Sequence, residues 1–181
     1  LAAIVLFGLL AALGRLRLPR RGHWGVLLSG GIGQVGANMA LIHLGVQYIE
    51  AGRSAIFAYT TPLWVAPLAA IFLGERLHHR KLLGIALGLL GVVVLSGPAA
   101  LTLGSGPTLL GNGLLVLAAM ISASVIVHMR SRGRAVQALD LAPWQMLLGA
   151  AVLVPTAILA EGPPAVEWSI PLVAVLAYNG M

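Results

Sequence analysis

The chain has 181 residues, of which 59% are hydrophobic and 9% are charged. A water-soluble domain usually carries about 25% charged residues, so this composition excludes a protein whose whole surface faces water and indicates a membrane protein. The net charge of +6 would suit nucleic acid. However, the basic residues form no stripe with interleaved aromatic residues, which argues against a nucleic-acid partner. The sequence contains no cysteine, which excludes a disulfide framework and a thiolate metal site.

The basic residues are arranged in clusters that predict a membrane topology. An even number of long apolar segments separates each cluster from the next, so all clusters lie on one side of the bilayer. Short cytoplasmic loops collect Lys and Arg, and this side is therefore predicted to be the cytoplasmic side of the membrane. Arg53 alone stands outside the clusters, which are Arg15/Arg17/Arg20/Arg21, Arg76/Arg80/Lys81 and Arg130/Arg132/Arg134.

Segment lengths predict the number of membrane crossings. A helix needs roughly 20 apolar residues to cross a hydrocarbon core about 30 Å thick. The sequence predicts complete spans at 24–43, 54–73, 82–97, 109–129 and 143–160, and the apolar runs at either end are expected to be partial spans. The predicted fold is an all-α, polytopic integral membrane bundle of about seven segments, five of them complete.

Small residues recur on two predicted helices. Gly84, Gly88 and Gly91 share one face, and Gly33, Ala37 and Ala40 share another. Small residues at this spacing allow helix backbones to approach closely in a membrane. Packing within the bundle is the favoured interpretation, and a homodimer through these faces is the alternative.

Several stretches form a pattern that is more specific than composition. They are YIEAGRSAI at 48–56, AYTTPLW at 58–64, LGERL at 73–77 and GIALGLLGV at 84–92. Together they resemble the EamA-like branch of the drug/metabolite transporter superfamily. A second resemblance, to the opening of that family's second repeat, is carried by LGNG at 110–113, WQ at 144–145 and AYNG at 177–180.

The resemblance implies ten helices in two five-helix repeats, which are inverted because each repeat crosses the membrane an odd number of times. Residues 1–97 would be the C-terminal part of the first repeat, without helix one and most of helix two, and 109–181 the N-terminal part of the second. The charges agree with this inversion, because the first apolar run ends at a basic loop and its counterpart, 143–160, ends at the acidic Glu161.

The function implied is transport of a small-molecule substrate, by export and alternating access, without a cofactor or an enzymatic activity. Two alternatives remain: a non-transporting membrane scaffold and a lipid-modifying integral membrane enzyme. The enzyme would normally need clustered His, Asp or Glu residues near one interface. The five acidic residues of the chain form no such cluster, and no metal site is predicted.

Polar residues at bilayer depth are candidates for a substrate path, since they are costly unless they are paired or line a wet cavity. Gln34 and Asn38 are one helical turn apart near the middle of their span. They could line the path or form interhelical hydrogen bonds, and the sequence leaves both interpretations open. Tyr178 and Asn179 are expected at a similar depth in the last segment.

The strongest single candidate is the run that contains Tyr59, Thr60 and Pro62. Pro62 has no amide hydrogen to donate, so the carbonyl of Ala58 should lose its helical partner and the helix should kink. A kinked helix with nearby hydroxyl groups resembles the broken-helix binding elements of transporters. The alternative is a structural kink whose Thr hydroxyls bond back to their own helix.

Charged residues near the helix ends are further candidates. Glu50 and Arg53 could form a surface pair, or Arg53 could attract anionic or zwitterionic solutes to the outer mouth. At the inner end, Glu75 and Arg76 are predicted to form an interfacial or gate-region pair.

Overall fold

The computed structural model describes residues 2–14, 16, 18–19, 21–49, 54, 57, 60–76, 78–96, 106–132, 138–162, 169 and 175. These residues form helices and no strand. The helices are α1 (Ala2–Ala12), α2 (Trp24–Val46), α3 (Thr61–Leu73), α4 (His79–Ser96), α5 (Pro107–Ser131) and α6 (Ala138–Glu161). The prediction of an all-α protein is confirmed.

The helices have the length and surface of membrane spans. Among the described residues, α2, α5 and the Asp140–Ala160 part of α6 are long and apolar enough to cross a bilayer. Large apolar side chains face outward on other helices too, with Ile71 and Phe72 of α3 exposed to 73% and 72%. Water would disfavour such a surface, whereas lipid does not. The chain is therefore a multi-pass membrane protein.

The predicted spans correspond to observed helices, with shifted ends. The span expected to begin at Pro143 begins at Ala138 instead, and Pro143 is buried inside α6. Asp140 lies in the first turn of α6, where a carboxylate interacts favourably with the helix dipole. Helix α6 therefore begins five residues earlier than the sequence predicts.

Helix α2 changes its geometry along its length. Ser29–Asn38 is π-helical between two α-helical parts, Trp24–Leu28 and Met39–Val46. A π-helix bonds residues five apart, so Gly31 and Gly36 share its close-packed face. A Cβ atom added at Gly31 would lie 2.8 Å from Leu148 Cβ, and one added at Gly36 would lie 2.9 Å from Val152 Cβ. The face predicted from α-helical spacing is displaced as a result, and Gly33 and Ala37 are half-buried.

One compact unit comprises Leu1–Gly36 and Arg132–Met181. In it, α1 and the start of α2 pack against α6. The rings of Phe7 and Trp144 meet edge to face, with centroids 5.1 Å apart and planes at 85°. Gln145 Nε2 donates a hydrogen bond of 3.1 Å to the carbonyl oxygen of Val26. Van der Waals packing and interhelical hydrogen bonds are the forces expected to join helices in lipid.

The second compact unit comprises Ala37–Ser131. Helix α5 is its centre, and α3 and the C-terminal part of α2 pack against it. Trp64, which lies inside its span rather than at a membrane interface, packs against the α3–α5 core. That core consists of Val65, Ala69, Ala123 and Val127.

The glycine face of α4 is not packed against another described helix. A Cβ atom at Gly84, Gly88 or Gly91 would meet nothing within 4 Å. The close helix approach predicted for this face is therefore absent from the described part of the chain. Gly84 and Gly88 instead border a cavity.

Candidate functional site

A small cavity with polar walls lies inside the second unit, and we call it the polar cavity. Its volume is about 340 Å³. Four polar side chains line it, one each from α2, α3 and α5 and one from Ser54, which precedes α3, and the rest of the wall is apolar. The polar residues are Asn38, Ser54, Thr61 and Ser122, and the apolar ones are Ile42, Leu115, Ala118 and Ala119.

The polar cavity lies at depth within its helices. Asn38 is 5% exposed and Ser122 is 8% exposed. At 1.5 Å per residue, each lies roughly 12 Å or more from the nearer end of its helix, which is close to the middle of a hydrocarbon core about 30 Å thick. Polar groups at this depth are costly unless they are paired or line a wet cavity, which makes the polar cavity the candidate site.

Helix α3 begins beside the polar cavity, next to Pro62. Helix α3 begins at Thr61, so Pro62 lies in its first turn, where a proline is well tolerated. Thr60 lies in a turn before it, and its amide donates to the Phe57 carbonyl over 3.0 Å. The Thr60 hydroxyl donates to the same carbonyl over 2.6 Å. The backbone is thus interrupted on the N-terminal side of Pro62, and Thr60 makes the local bond of the structural alternative.

A larger cavity, which we call the inner cavity, lies between α3, α4 and α5. Its volume is about 790 Å³, and Thr61 lines both cavities. Most of its wall is apolar or lacks a side chain. These wall residues are Pro62, Leu63, Val65, Ala66, Ala69, Gly84, Ile85, Gly88 and Ile126.

Charged side chains are gathered at one end of the inner cavity. Lys81 Nζ donates to Glu75 Oε2 over 2.9 Å, and Arg130 lines the same end. Gly74 ends α3 in the left-handed conformation, with φ of 65°, and it turns the chain so that Glu75 faces Lys81. The Lys81 hydrogen bond and charge, and to a smaller extent the charge of Arg130, lower the pKa of Glu75. Glu75 is therefore a carboxylate at neutral pH.

The structure brings some predicted path residues together and leaves others apart. Asn38 lines the polar cavity and Pro62 lines the inner cavity. Gln34 is half-buried in the π-helical part of α2 and lines neither cavity, and Thr60 lines neither. The remaining predicted residues lie outside the described part of the chain: Glu50, Arg53, Tyr59, Tyr178 and Asn179.

The prediction that Glu75 pairs with Arg76 is wrong. Glu75 pairs with Lys81, which is in the first turn of α4. Glu75 and Arg76 are adjacent residues in the non-helical segment that begins at Gly74. Lys81, at the start of α4, reaches Glu75 instead.

The sequence does not predict Ser122, Lys81 or Arg130 as site residues, because their positions depend on how the helices pack. Ser122 had a recognisable signal, since it is a hydroxyl residue amid the small residues Ala118, Ala119 and Ala123 of α5. Lys81 and Arg130 were interpreted only as topology signals, because their convergence on one cavity depends on how α4 and α5 pack.

Comparisons with known proteins identify the family. The profile of the EamA-like transporter family matches residues 1–97. Over 143 residues, 79% of this chain, the sequence is 24% identical to the uncharacterized transporter YoaV of Bacillus subtilis (strain 168), and the match covers 49% of that protein. It is 24% identical over 164 residues, 91% of this chain, to the uncharacterized transporter YvbV of the same organism, covering 52% of it.

A relative from another organism is more similar over a shorter stretch. The sequence is 33% identical over 108 residues, 60% of this chain, to an uncharacterized transporter of Acidianus ambivalens, and the match covers 41% of that protein. The chain spans about half the length of the Bacillus relatives it matches. No solved structure matches the chain. The family profile covers more than half of the chain, in agreement with the all-α membrane fold, and the protein belongs to the EamA-like transporter family.

Proposed function

We propose that this chain is part of a transporter that exports small metabolites across a bacterial cytoplasmic membrane by alternating access. The observation that carries the proposal is the polar cavity, where Asn38, Thr61 and Ser122 face one space deep inside an apolar bundle. Hydroxyl and amide groups can replace the water around a small polar solute at that depth. The family and its relatives, which are named transporters, support the same conclusion.

The inner cavity offers the proposed transport an entrance from the cytoplasmic side. Its charged end lies by the loop and helix ends that carry Glu75, Lys81 and Arg130, and basic loops are expected on the cytoplasmic side. A solute could enter from the cytoplasm there and reach Thr61, which also lines the polar cavity. Alternating access would then require the two inverted repeats to rock around this region.

Flux measurements on the full-length protein test this proposal. Inverted membrane vesicles containing the protein should accumulate at least one solute from a radiolabelled panel of amino acids, organic acids, sugars and nucleosides. Vesicles without the protein provide the background. Accumulation solely in right-side-out vesicles would refute export, and a lack of flux for the whole panel in both orientations would refute transport.

The topology is a second expected result. Reporter fusions placed after Arg21, Lys81 and Arg134 should all report the cytoplasm, because an even number of spans separates these positions. A fusion after Glu161 should report the opposite side. Alkaline phosphatase and green fluorescent protein, which are active on opposite sides of the membrane, provide matched readouts. Disagreement among the three basic positions would overturn the predicted number of spans.

A further inference from the structure

We propose that the charged end of the inner cavity binds an amphipathic organic anion. Its acidic group would contact Lys81 and Arg130, and its apolar body would lie along the walls formed by α3 and α4. The inference deepens the proposed function, because it rests on the inner cavity being part of the solute path. It adds a ligand class and the residues that select it.

The charges at this end favour a negative ligand. Among the described residues, two cations and one carboxylate line it, which gives this end a net positive charge. The bond to Glu75 uses one of the three donors of the Lys81 ammonium group. Arg130 forms no ion pair with any described residue, and a guanidinium group can bind a carboxylate or phosphate through two parallel hydrogen bonds.

The rest of the cavity favours an apolar body. Apart from Thr61, its lining away from the charged end consists of aliphatic residues, proline and glycine. A small hydrophilic anion would leave this wall without a partner. The volume of about 790 Å³ falls within the usual range of ligand pockets, roughly 300–1,000 Å³. Gly84 and Gly88 leave space along α4, because a Cβ atom at either position would contact nothing within 4 Å.

Glu75 acts as a competing anion in this proposal. Its carboxylate pairs with the exposed Lys81 ammonium group at the cavity rim, 2.9 Å away, and a ligand must share or displace it. Replacing Glu75 with Gln removes the negative charge but keeps an oxygen that can accept the Lys81 hydrogen bond. We expect Glu75→Gln to bind organic anions several-fold more tightly than the unaltered protein.

The direct test compares two probes that differ mainly in charge. The full-length protein is placed in phosphatidylcholine nanodiscs, and the binding of octanoate and octanamide is measured by calorimetry, with empty discs as background. We expect octanoate to bind about tenfold more tightly, in line with the strength of charge-assisted hydrogen bonds. Lys81→Gln and Arg130→Gln should each remove most of that preference. Arg80→Gln is the matched control, since Arg80 is exposed like Lys81 and Arg130 but does not line the cavity.

A second pair of variants tests, without changing any charge, whether octanoate binds in the inner cavity. Gly88→Leu should fill the inner cavity and weaken the binding of octanoate about tenfold or more. Gly91→Leu is its control, because Gly91 lies on the same helix with equal space around its Cβ position but does not line the cavity. Both variants are expected to fold, as neither side chain starts from a clash.

The acidic group of the bound ligand could belong to a free carboxylate solute or to a lipid headgroup. Changing the lipid composition of the nanodiscs distinguishes these two sources. If a headgroup occupies the site, phosphatidylglycerol in the discs should suppress octanoate binding in the unaltered protein. If the site serves free solutes, the binding should persist.

Equal affinities for octanoate and octanamide, or equal effects of Arg80→Gln and Lys81→Gln, would overturn the inference. Charge-dependent binding without flux of any solute would refute the proposed function and leave this site standing. Flux without charge-dependent binding would overturn this inference and leave the proposed function standing.

Discussion

Replacing Gly111 with Val is expected to destabilise the protein by about 2 kcal/mol, in the range typical of overpacked cores. A Cβ atom at Gly111 would lie 2.7 Å from Ile49 Cγ1, 2.8 Å from Tyr48 Cβ and 3.0 Å from the carbonyl oxygen of Gly45. The side chains could move, but the Gly45 carbonyl belongs to the backbone near the end of α2. The new side chain would therefore push α2 and α5 apart.

Gly113→Val is the matched control for this prediction. Gly113 lies on the same helix, two residues further, and a Cβ atom there would contact nothing within 4 Å. Its replacement should change the free energy of unfolding by less than about 0.5 kcal/mol, as for surface positions. Thermal or denaturant unfolding of the purified full-length variants measures the difference. Equal stability of the two variants would show that α2 and α5 are not in close contact at Gly111.

Replacing Asn38 with Leu is expected to reduce solute flux about tenfold or more while the amount of folded protein stays nearly constant. The Asn38 side chain is buried and lines the polar cavity. Leu would remove a hydrogen-bonding group from the proposed solute path, and a single lost hydrogen bond worth about 1.4 kcal/mol already corresponds to a tenfold change. An interhelical hydrogen bond in a membrane contributes only about 0.6 kcal/mol on average.

This experiment separates the two interpretations that the sequence left open for Asn38. If Asn38 joins helices, unfolding should become easier and flux should fall only in proportion to the folded protein. Ser122→Val and Ser124→Val extend the comparison on α5. Ser122 lines the polar cavity, whereas Ser124 is exposed and donates to the Met120 carbonyl of its own helix over 2.8 Å. Flux should fall for Ser122→Val and stay unchanged for Ser124→Val.

Much of the fold could be predicted because a bilayer imposes simple requirements on a sequence. Apolar length and loop charge located the helices, and the family resemblance rested on residues 48–92. The helix ends were less predictable, as at Pro143, which is accommodated inside α6. The close-packed face of α2 was missed because Ser29–Asn38 is π-helical. In a π-helix, residues five positions apart in the sequence share a face, instead of the three or four positions of an α-helix.

The candidate site was predicted only where single residues carry a signal. Asn38 could be proposed because an amide inside an apolar span is costly. Lys81 and Arg130 could not be assigned to a cavity, since they are far apart in sequence and their proximity depends on the packing of α4 against α3 and α5. Glu75 was recognised as a paired residue, but its partner depends on the turn at Gly74.

The most direct test of the proposed path is its access to water. The chain has no cysteine, so single cysteines can be introduced once any cysteine elsewhere in the full-length protein has been replaced with Ser. Ser122 is 8% exposed but lines the polar cavity, whereas Leu117 on the same helix is 47% exposed and is expected to face lipid. A thiol reacts as a thiolate, which requires water.

A water-soluble maleimide should therefore label Ser122→Cys and Thr61→Cys in membranes and should leave Leu117→Cys unlabelled, despite its greater exposure. This result would place water, and hence a route for polar solutes, inside the bundle at the polar cavity. Labelling of Leu117→Cys with no labelling of Ser122→Cys and Thr61→Cys would contradict the proposed solute path.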